Sequence, residues 1–483
     1  MEIFNVVHYK TIEISAKLNY TKITNAEFYF KILKRKGANM KKLPRILGVL
    51  DLFLLSNLSP LLNAFNSGYL FMLFSIIVLS AYFLIMNIKP SNIKSLNSRL
   101  RIMYNGRELM IIFIYSFILN IISFILWNTV FTIAAGNIVT FAVTTLILGA
   151  IVTFNGVARM FVTSKQLGIT QRVLIVLLWW CPMVNIFIIS KACRTVYDEY
   201  MLETDKIELN SIRKENEICK TKYPILMVHG VFFRDLKFFN YWGRVPGELI
   251  RNGAEIYYGE QHSAASVERC AYELKAKIED IVIKTGCEKV NIIAHSKGGL
   301  DSRFAISCLG MDKYVATLTT VNTPHRGCEY ADFILEHAPF GFKDFLARSY
   351  NSALKKFGEE DSDFISAVTD LTAKNCRKLN EIAPDSPNVY YQSVGSKMKK
   401  SSSAGFPLNM SYHIVKLFSK LDNDGLVDVE SMKWGERYIF FEPKSKRGLS
   451  HGDLIDLMRE DIKGFDIREE FVGIAADLKN RGF

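Results

Sequence analysis

Ser296 sits at the centre of Ala294-His295-Ser296-Lys297-Gly298, directly after the apolar run 290–293 and directly before a helical pattern. A serine on a tight strand-to-helix turn exposes its hydroxyl for attack on an acyl carbonyl. The residues two before and two after it must be small, or their side chains collide in the turn; here they are Ala294 and Gly298. Acyl transfer also needs donors for the developing oxyanion. The backbone N–H of Lys297 is one. The N–H of Val231, on the loop His229-Gly230-Val231 that follows an earlier apolar run, is the other expected donor. His229 is expected to brace that loop and to take no chemical part. The order of such a site along the chain is nucleophile, acid, base. His325, His337, His413 and His451 follow Ser296, and His451 lies in a Gly-, Ser- and Lys-rich loop beyond an apolar run at 438–441. Asp424, ahead of Gly425 in Asp422-Asn423-Asp424-Gly425, is the expected acid, with Asp422 and Asp428 as bland neighbours. Ser296 would attack, His451 would move the proton, and Asp424 would hold the imidazole tautomer.

These residues need a scaffold, and the sequence supplies one. Short apolar runs at 225–228, 255–258, 290–293, 315–321, 389–394 and 438–441 alternate with helical patterns. The clearest helix carries Val267, Ala271, Leu274, Ile278 and Ile281 on one face and ends at Gly286. Strands alternating with helices predict an α/β domain over 223–483, with a mostly parallel sheet covered on both faces. A stripe of Phe342, Phe345, Leu346, Tyr350, Leu354 and Phe357 predicts an amphipathic lid near 336–360.

The motifs together resemble the bacterial triacylglycerol lipases of Pseudomonas and Burkholderia type. The resemblance rests on Tyr223-Pro224-Ile225-Leu226-Met227-Val228-His229-Gly230, Lys289 to Ser296, and Asn322-Thr323-Pro324-His325-Arg326-Gly327. It continues through Ala331-Asp332-Phe333, Asp370-Leu371-Thr372, Tyr390-Tyr391, Asn423 to Val427, and Ser450-His451-Gly452-Asp453. It implies an α/β-hydrolase fold, a lid-covered site for lipid esters, and the triad already read from spacing. It requires no catalytic cofactor but implies a structural calcium near the triad histidine. Asp453 matches one carboxylate of that calcium site. The second should precede the acid loop, yet 397–421 contains no Asp or Glu.

The N-terminal half is foreign to that resemblance. Apolar runs at 46–65, 68–88, 109–130, 137–154 and 173–190 approach or reach the roughly 20 residues that span a bilayer. The first is weakened by Asp51 and Pro60. The net charge is +12, with much of the excess in a basic segment over 1–45. Beside apolar runs such charge marks the cytoplasmic side, so a membrane and not a nucleic acid is the expected partner. The links around 66–67 and 128–136 carry no charge. About five spans over 46–191 would put every basic link on one side, with the catalytic domain outside the cytoplasm; Lys191 and Arg194 fit that arrangement poorly. A charged linker is expected over 192–222. The first apolar block starts too far in for a signal peptide. The eight cysteines form no metal-ligand spacing and are expected as free thiols. These observations predict a membrane-anchored lipase or carboxylesterase. A phospholipase, a lipid acyltransferase or a catalytically inactive scaffold are the alternatives.

Overall fold

A computed structural model describes residues 42–65, 68–93, 97–131, 134–231, 240–337, 341, 348 and 363–483. The chain forms two compact units, Met1–Ile207 and Glu208–Phe483. The lid expected near 336–360 falls almost wholly outside the described residues.

The first unit is helical over its described residues, since a helix satisfies the backbone hydrogen bonds of a long apolar run internally. Its helices are α1 (Leu43–Ser56), α2 (Leu58–Ala64), α3 (Tyr69–Ile88), α4 (Ser98–Thr129), α5 (Ala135–Thr163), α6 (Ile169–Leu177) and α7 (Pro182–Arg213), the last running on into the second unit. Among the described residues α3, α4 and α5 are long and apolar enough to cross a membrane, and α1 with α2 makes a further candidate bent by 67°. The bend falls at Asn57, whose amide donates to Phe53 O and to Asn120 Oδ1, both at 2.8 Å. Helices α4 and α5 pack antiparallel. A Cβ on Gly106 would lie 2.8 Å from Gly156 O, so this close approach requires glycine.

One expected span is not a continuous helix. The run 173–190 is split between α6 and α7, across Leu178–Cys181. Pro182 lacks the N–H that would continue α6 and starts a new helix instead. Asn185 on α7 then reaches back to Ile175 O at 3.4 Å, and Ile175 and Ile189 share one buried cluster.

The second unit is built on a parallel sheet of order β2-β1-β3-β4-β5-β6. Its strands are β1 (Ile225–Val228), β2 (Ile256–Tyr258), β3 (Val290–His295), β4 (Val315–Val321), β5 (Tyr390–Ser396) and β6 (Arg437–Phe441). The connecting helices include α8 (Val245–Arg251), α9 (Val267–Thr285), α10 (Lys297–Cys308), α11 (Glu329–His337), α12 (Phe364–Thr369), α13 (Ala373–Ile382), α14 (Leu408–Ser419) and α15 (Ile467–Asn480). Side chains alternate across each strand, so one strand serves two cores. Ile225 and Met227 pack with Val245 and Leu249 of α8 and Phe471 and Leu478 of α15. Leu226 and Val228 pack on the other face with Leu274 and Ile278 of α9 and Ala305 of α10. Burial on both faces explains why these strands read as continuous apolar runs. This topology, with its strand-to-helix turn at Ser296 after β3, is that of an α/β-hydrolase.

Candidate active site

The carboxyl ends of parallel strands point the same way, so the loops after β1, β3, β5 and β6 converge. Between β3 and α10 the connection is Ser296 alone. Ser296 has φ 54° and ψ −128°, a conformation that costs about 1–3 kcal/mol in a non-glycine residue. The turn is possible because its neighbours are small. A Cβ on Gly298 would lie 2.3 Å from His229 O, and one on Gly230 would lie 2.8 Å from Ser296 Cβ. The loop after β1 therefore rests directly against the side chain of Ser296. Lys297 heads α10, where its N–H has no acceptor within the helix. Among the described residues no partner accepts the Val231 N–H.

His451 and Asp424 come together from the loops after β6 and β5. His451 Nδ1 lies 2.7 Å from Asp424 Oδ2, and His451 N donates to Asp424 O at 2.9 Å. The other carboxylate oxygen of Asp424 accepts from Leu426 N at 2.9 Å and Val427 N at 2.8 Å. The side chain of Asp424 is fully buried, and His451 is nearly so. The carboxylate is thus held by two backbone donors and aimed at one imidazole. The neighbouring acids do other work. Asp422 pairs with Lys397 at 3.0 Å, and Asp428 accepts from Glu430 N and Ser431 N. The other histidines lie elsewhere. His325 bonds Thr320 Oγ1 at 3.0 Å and stacks on Trp434, His337 lies against Phe333, and His413 is on α14.

Two residues that sequence reasoning passed over tie these loops together. Gly230 N donates to Tyr241 Oη at 3.0 Å, and Tyr241 Oη lies 2.7 Å from His295 Nδ1. His295 Nε2 reaches His451 O at 3.2 Å, and the two rings lie 4.5 Å apart. The only consistent reading has Tyr241 donating to Nδ1 and His295 donating from Nε2. Burial holds His295 well below the usual histidine range, so it stays neutral in this relay. Its place beside Ser296 was a visible signal; nothing in the sequence singled out Tyr241. His229 braces the loop as expected, since its ring nitrogens reach Gly230 O and Gln261 O at 2.9 Å and its carbonyl accepts from Gln261 Nε2. Lys297 turns away from the site. Its buried ammonium pairs with Asp301 at 2.7 Å, which raises its pKa.

The residues expected to hold calcium do not fit that ion. Asp453 Oδ1 accepts from Arg447 Nη2 at 3.0 Å, and Oδ2 accepts from Ser450 N and Ser450 Oγ at 2.8 Å. The Arg447 guanidinium also donates from Nε to Ser403 O at 2.7 Å. It therefore bridges the loop after β5 to the histidine loop. With Lys397 and Lys399 nearby on Glu442, the local cations are side chains. A cavity of about 670 Å³ lies elsewhere, at the amino ends of β5 and β6, lined by Tyr391, Trp434 and Tyr438.

The fold is that of an α/β-hydrolase, and its loops bring Ser296, Asp424 and His451 to the carboxyl end of one sheet. No protein-family model matches the chain. Triacylglycerol lipase from Pseudarthrobacter phenanthrenivorans is 31% identical over 177 residues, covering 34% of this chain and 54% of that lipase. Triacylglycerol lipase from Vibrio cholerae is 28% identical over 238 residues, covering 45% of this chain and 76% of the relative. Triacylglycerol lipase 2 of Saccharomyces cerevisiae is 28% identical over 263 residues, covering 50% and 74%. The chain spans about half the length of the first of these relatives and of a Burkholderia plantarii lipase. The crystal structure of Staphylococcus hyicus lipase overlays with a TM-score of 0.44 at 20% identity, over 54% of this chain and 96% of that one. The chain is thus similar in sequence to triacylglycerol lipases over a third to a half of its length, and it also carries an apolar helical region.

Proposed function

We propose that the protein is a carboxylic ester hydrolase that cleaves acyl esters of lipids and is held at the membrane by its helical unit. The observation that carries this reading is the meeting of the strained Ser296 turn with the loops of Gly230 and His451–Asp424. In the proposed reaction Ser296 Oγ attacks the ester carbonyl while His451 Nε2 takes its proton. The N–H groups of Val231 and Lys297 stabilise the oxyanion. His451 returns the proton to the leaving alcohol, leaving an acyl-enzyme on Ser296, and water then reverses the sequence to release the acid. Asp424 keeps the proton of neutral His451 on Nδ1, so Nε2 is free to act as base. We infer that this site needs no calcium, because the Arg447 guanidinium already links the two loops that the ion would join.

The test compares hydrolysis of p-nitrophenyl butyrate and palmitate by membranes carrying the wild type or Ser296→Ala. Cleavage of both esters by the wild type, abolished in the variant, is expected. Equal rates in the two would overturn the assignment of the nucleophile. Cleavage of butyrate alone would make the enzyme an esterase of short acyl chains.

A further inference from the structure

We infer that the helical unit crosses the membrane an even number of times, so that the chain leaves it on the face where it entered and the hydrolase works from the cytoplasm. The decisive contacts join the two ends of the α6–α7 segment. Glu199 on α7 accepts from Lys165 N at 3.1 Å and Gln166 N at 3.2 Å, just before α6 begins. It also accepts from Ser164 Oγ and pairs with Arg99 at 2.6 Å, at the start of α4. A continuous helix from Ile169 would carry Glu199 about 45 Å from its start. Instead the segment folds back on itself. Arg107 Nε donates to Cys193 O at 3.3 Å, and Leu167 shares a buried cluster with Ala192 and Val196. From Cys193 to the tip at Pro182 is about 16 Å of helix, roughly half of the ~30 Å hydrocarbon core. The α6–α7 pair is therefore a re-entrant hairpin and not a crossing.

The remaining helices fix the count. The end of α3 meets α5 where Asn155 Nδ2 donates to Asn87 O at 2.9 Å and Arg159 Nη2 donates to the same oxygen at 2.7 Å. That is the end of α5 capped by Glu199, so α3 begins on the opposite face. The bent α1–α2 pair runs from the ion pair Arg45–Glu108 at 2.8 Å to Ser59–Asn137 at 2.9 Å, beside the start of α5. It therefore crosses. Four crossings and one hairpin follow, in place of about five crossings. All charge in the links now falls on one face, through 89–107, 159–172, Lys191 and Arg194. The links 57–68 and 128–137 on the other face hold no Lys, Arg, Asp or Glu. Positive charge is retained on the cytoplasmic side, so that side receives the chain beyond α7. Resting on the lipase reading above, this assigns the substrate to acyl esters reached from the cytoplasmic leaflet.

The experiment fuses either green fluorescent protein or an alkaline phosphatase active only after export behind Phe483 of the full chain in a bacterial host. Fluorescent cells with silent phosphatase are expected. Active phosphatase with dark cells would overturn the even count, and signal from both reporters would overturn a single fixed topology. Sealed inside-out vesicles should hydrolyse an added long-chain ester without detergent, whereas right-side-out vesicles should require it. Failure of detergent-solubilised protein to hydrolyse any ester would count against the lipase reading alone, because the reporters read sidedness independently.

Discussion

Asp424→Asn tests the proposed division of labour with the least change of shape. Asp424 Oδ1 accepts two backbone N–H groups, from Leu426 and Val427, and Oδ2 faces His451 Nδ1 at 2.7 Å. In the asparagine variant the amide oxygen takes the side of the two backbone donors. The NH₂ group then points at His451 Nδ1, which must accept, and the ring proton moves to Nε2. An imidazole protonated there cannot take the proton of Ser296. Flipping the amide restores the base but sets NH₂ against two backbone N–H groups, each costing about 1–3 kcal/mol. The active tautomer is then disfavoured by about 2–6 kcal/mol, or about 30-fold to 10⁴-fold in kcat. Lost stabilisation of the imidazolium adds to this. KM should stay near the wild-type value, because Asp424 touches no substrate. The assay is p-nitrophenyl butyrate hydrolysis at neutral pH, with melting temperature as the check on folding. Asp424→Ala lets His451 choose its tautomer, so the asparagine variant should be no faster than the alanine one. A folded asparagine variant within fivefold of wild type would refute the roles given to Asp424 and His451.

Gly298→Ala should place a methyl group 2.3 Å from His229 O and 3.0 Å from Val228 Cγ1. Overpacking of that kind costs about 1–3 kcal/mol, so the melting temperature should fall by several degrees and kcat with it; an unchanged melting curve would contradict the elbow geometry. Arg447→Ala should lower kcat with little change in KM and Arg447→Lys should recover part of it, while EDTA leaves the wild-type melting temperature unchanged. A rise in wild-type melting temperature with added Ca²⁺ would mean that the ion binds the native state after all. Burial holds the pKa of His325 well below its usual value, so the folded ring stays neutral while the unfolded one takes up a proton below about pH 6.5. The unfolded state then binds more protons, and stability falls with pH by up to about 1.4 kcal/mol per unit from this group. His325→Gln removes that slope, and chemical denaturation of both proteins between pH 7.5 and 5.5 measures the difference.

Much of the second unit could be read before any coordinates, for a physical reason. A strand buried on both faces is rich in apolar side chains: β1 is an unbroken apolar run, β3 is interrupted by Asn291 and β4 by threonines, and the turn after β3 was marked by the small residues it requires. Asp424 and His451, which the structure brings together, sit in polar loops beyond α14 and beyond β6. Contacts of long sequence separation were not legible. Tyr241 meets His295 across 54 residues, and Arg447 meets Ser403 across 44, with no local pattern to mark either. The break within 173–190 was not legible for a related reason. Hydropathy measures how apolar a segment is, and two helices with a break between them are as apolar as one continuous helix. The pairing of Glu199 with Lys165 and Gln166 is another contact of long sequence separation, with no local pattern to mark it.

The relay from Gly230 through Tyr241 and His295 to His451 gives the site a coherence that its parts alone lack. Ser296 holds an unfavourable backbone conformation, and such strain persists only where the surroundings over-determine it. Gly230 packs against its side chain, Gly298 packs under His229 O, and His295 is anchored at both ring nitrogens. The same hydrogen bonds fix the loop carrying Val231 and the backbone of His451. The Val231 loop, Ser296 and His451 are therefore positioned by one connected set of buried contacts. In such a network the energies of single deletions do not add. The loss of Tyr241 would leave both the Gly230 N–H and His295 Nδ1 without their partner, disturbing the donor loop and the base together. That shared dependence holds loops more than 200 residues apart in one arrangement, which the proposed acyl transfer would require.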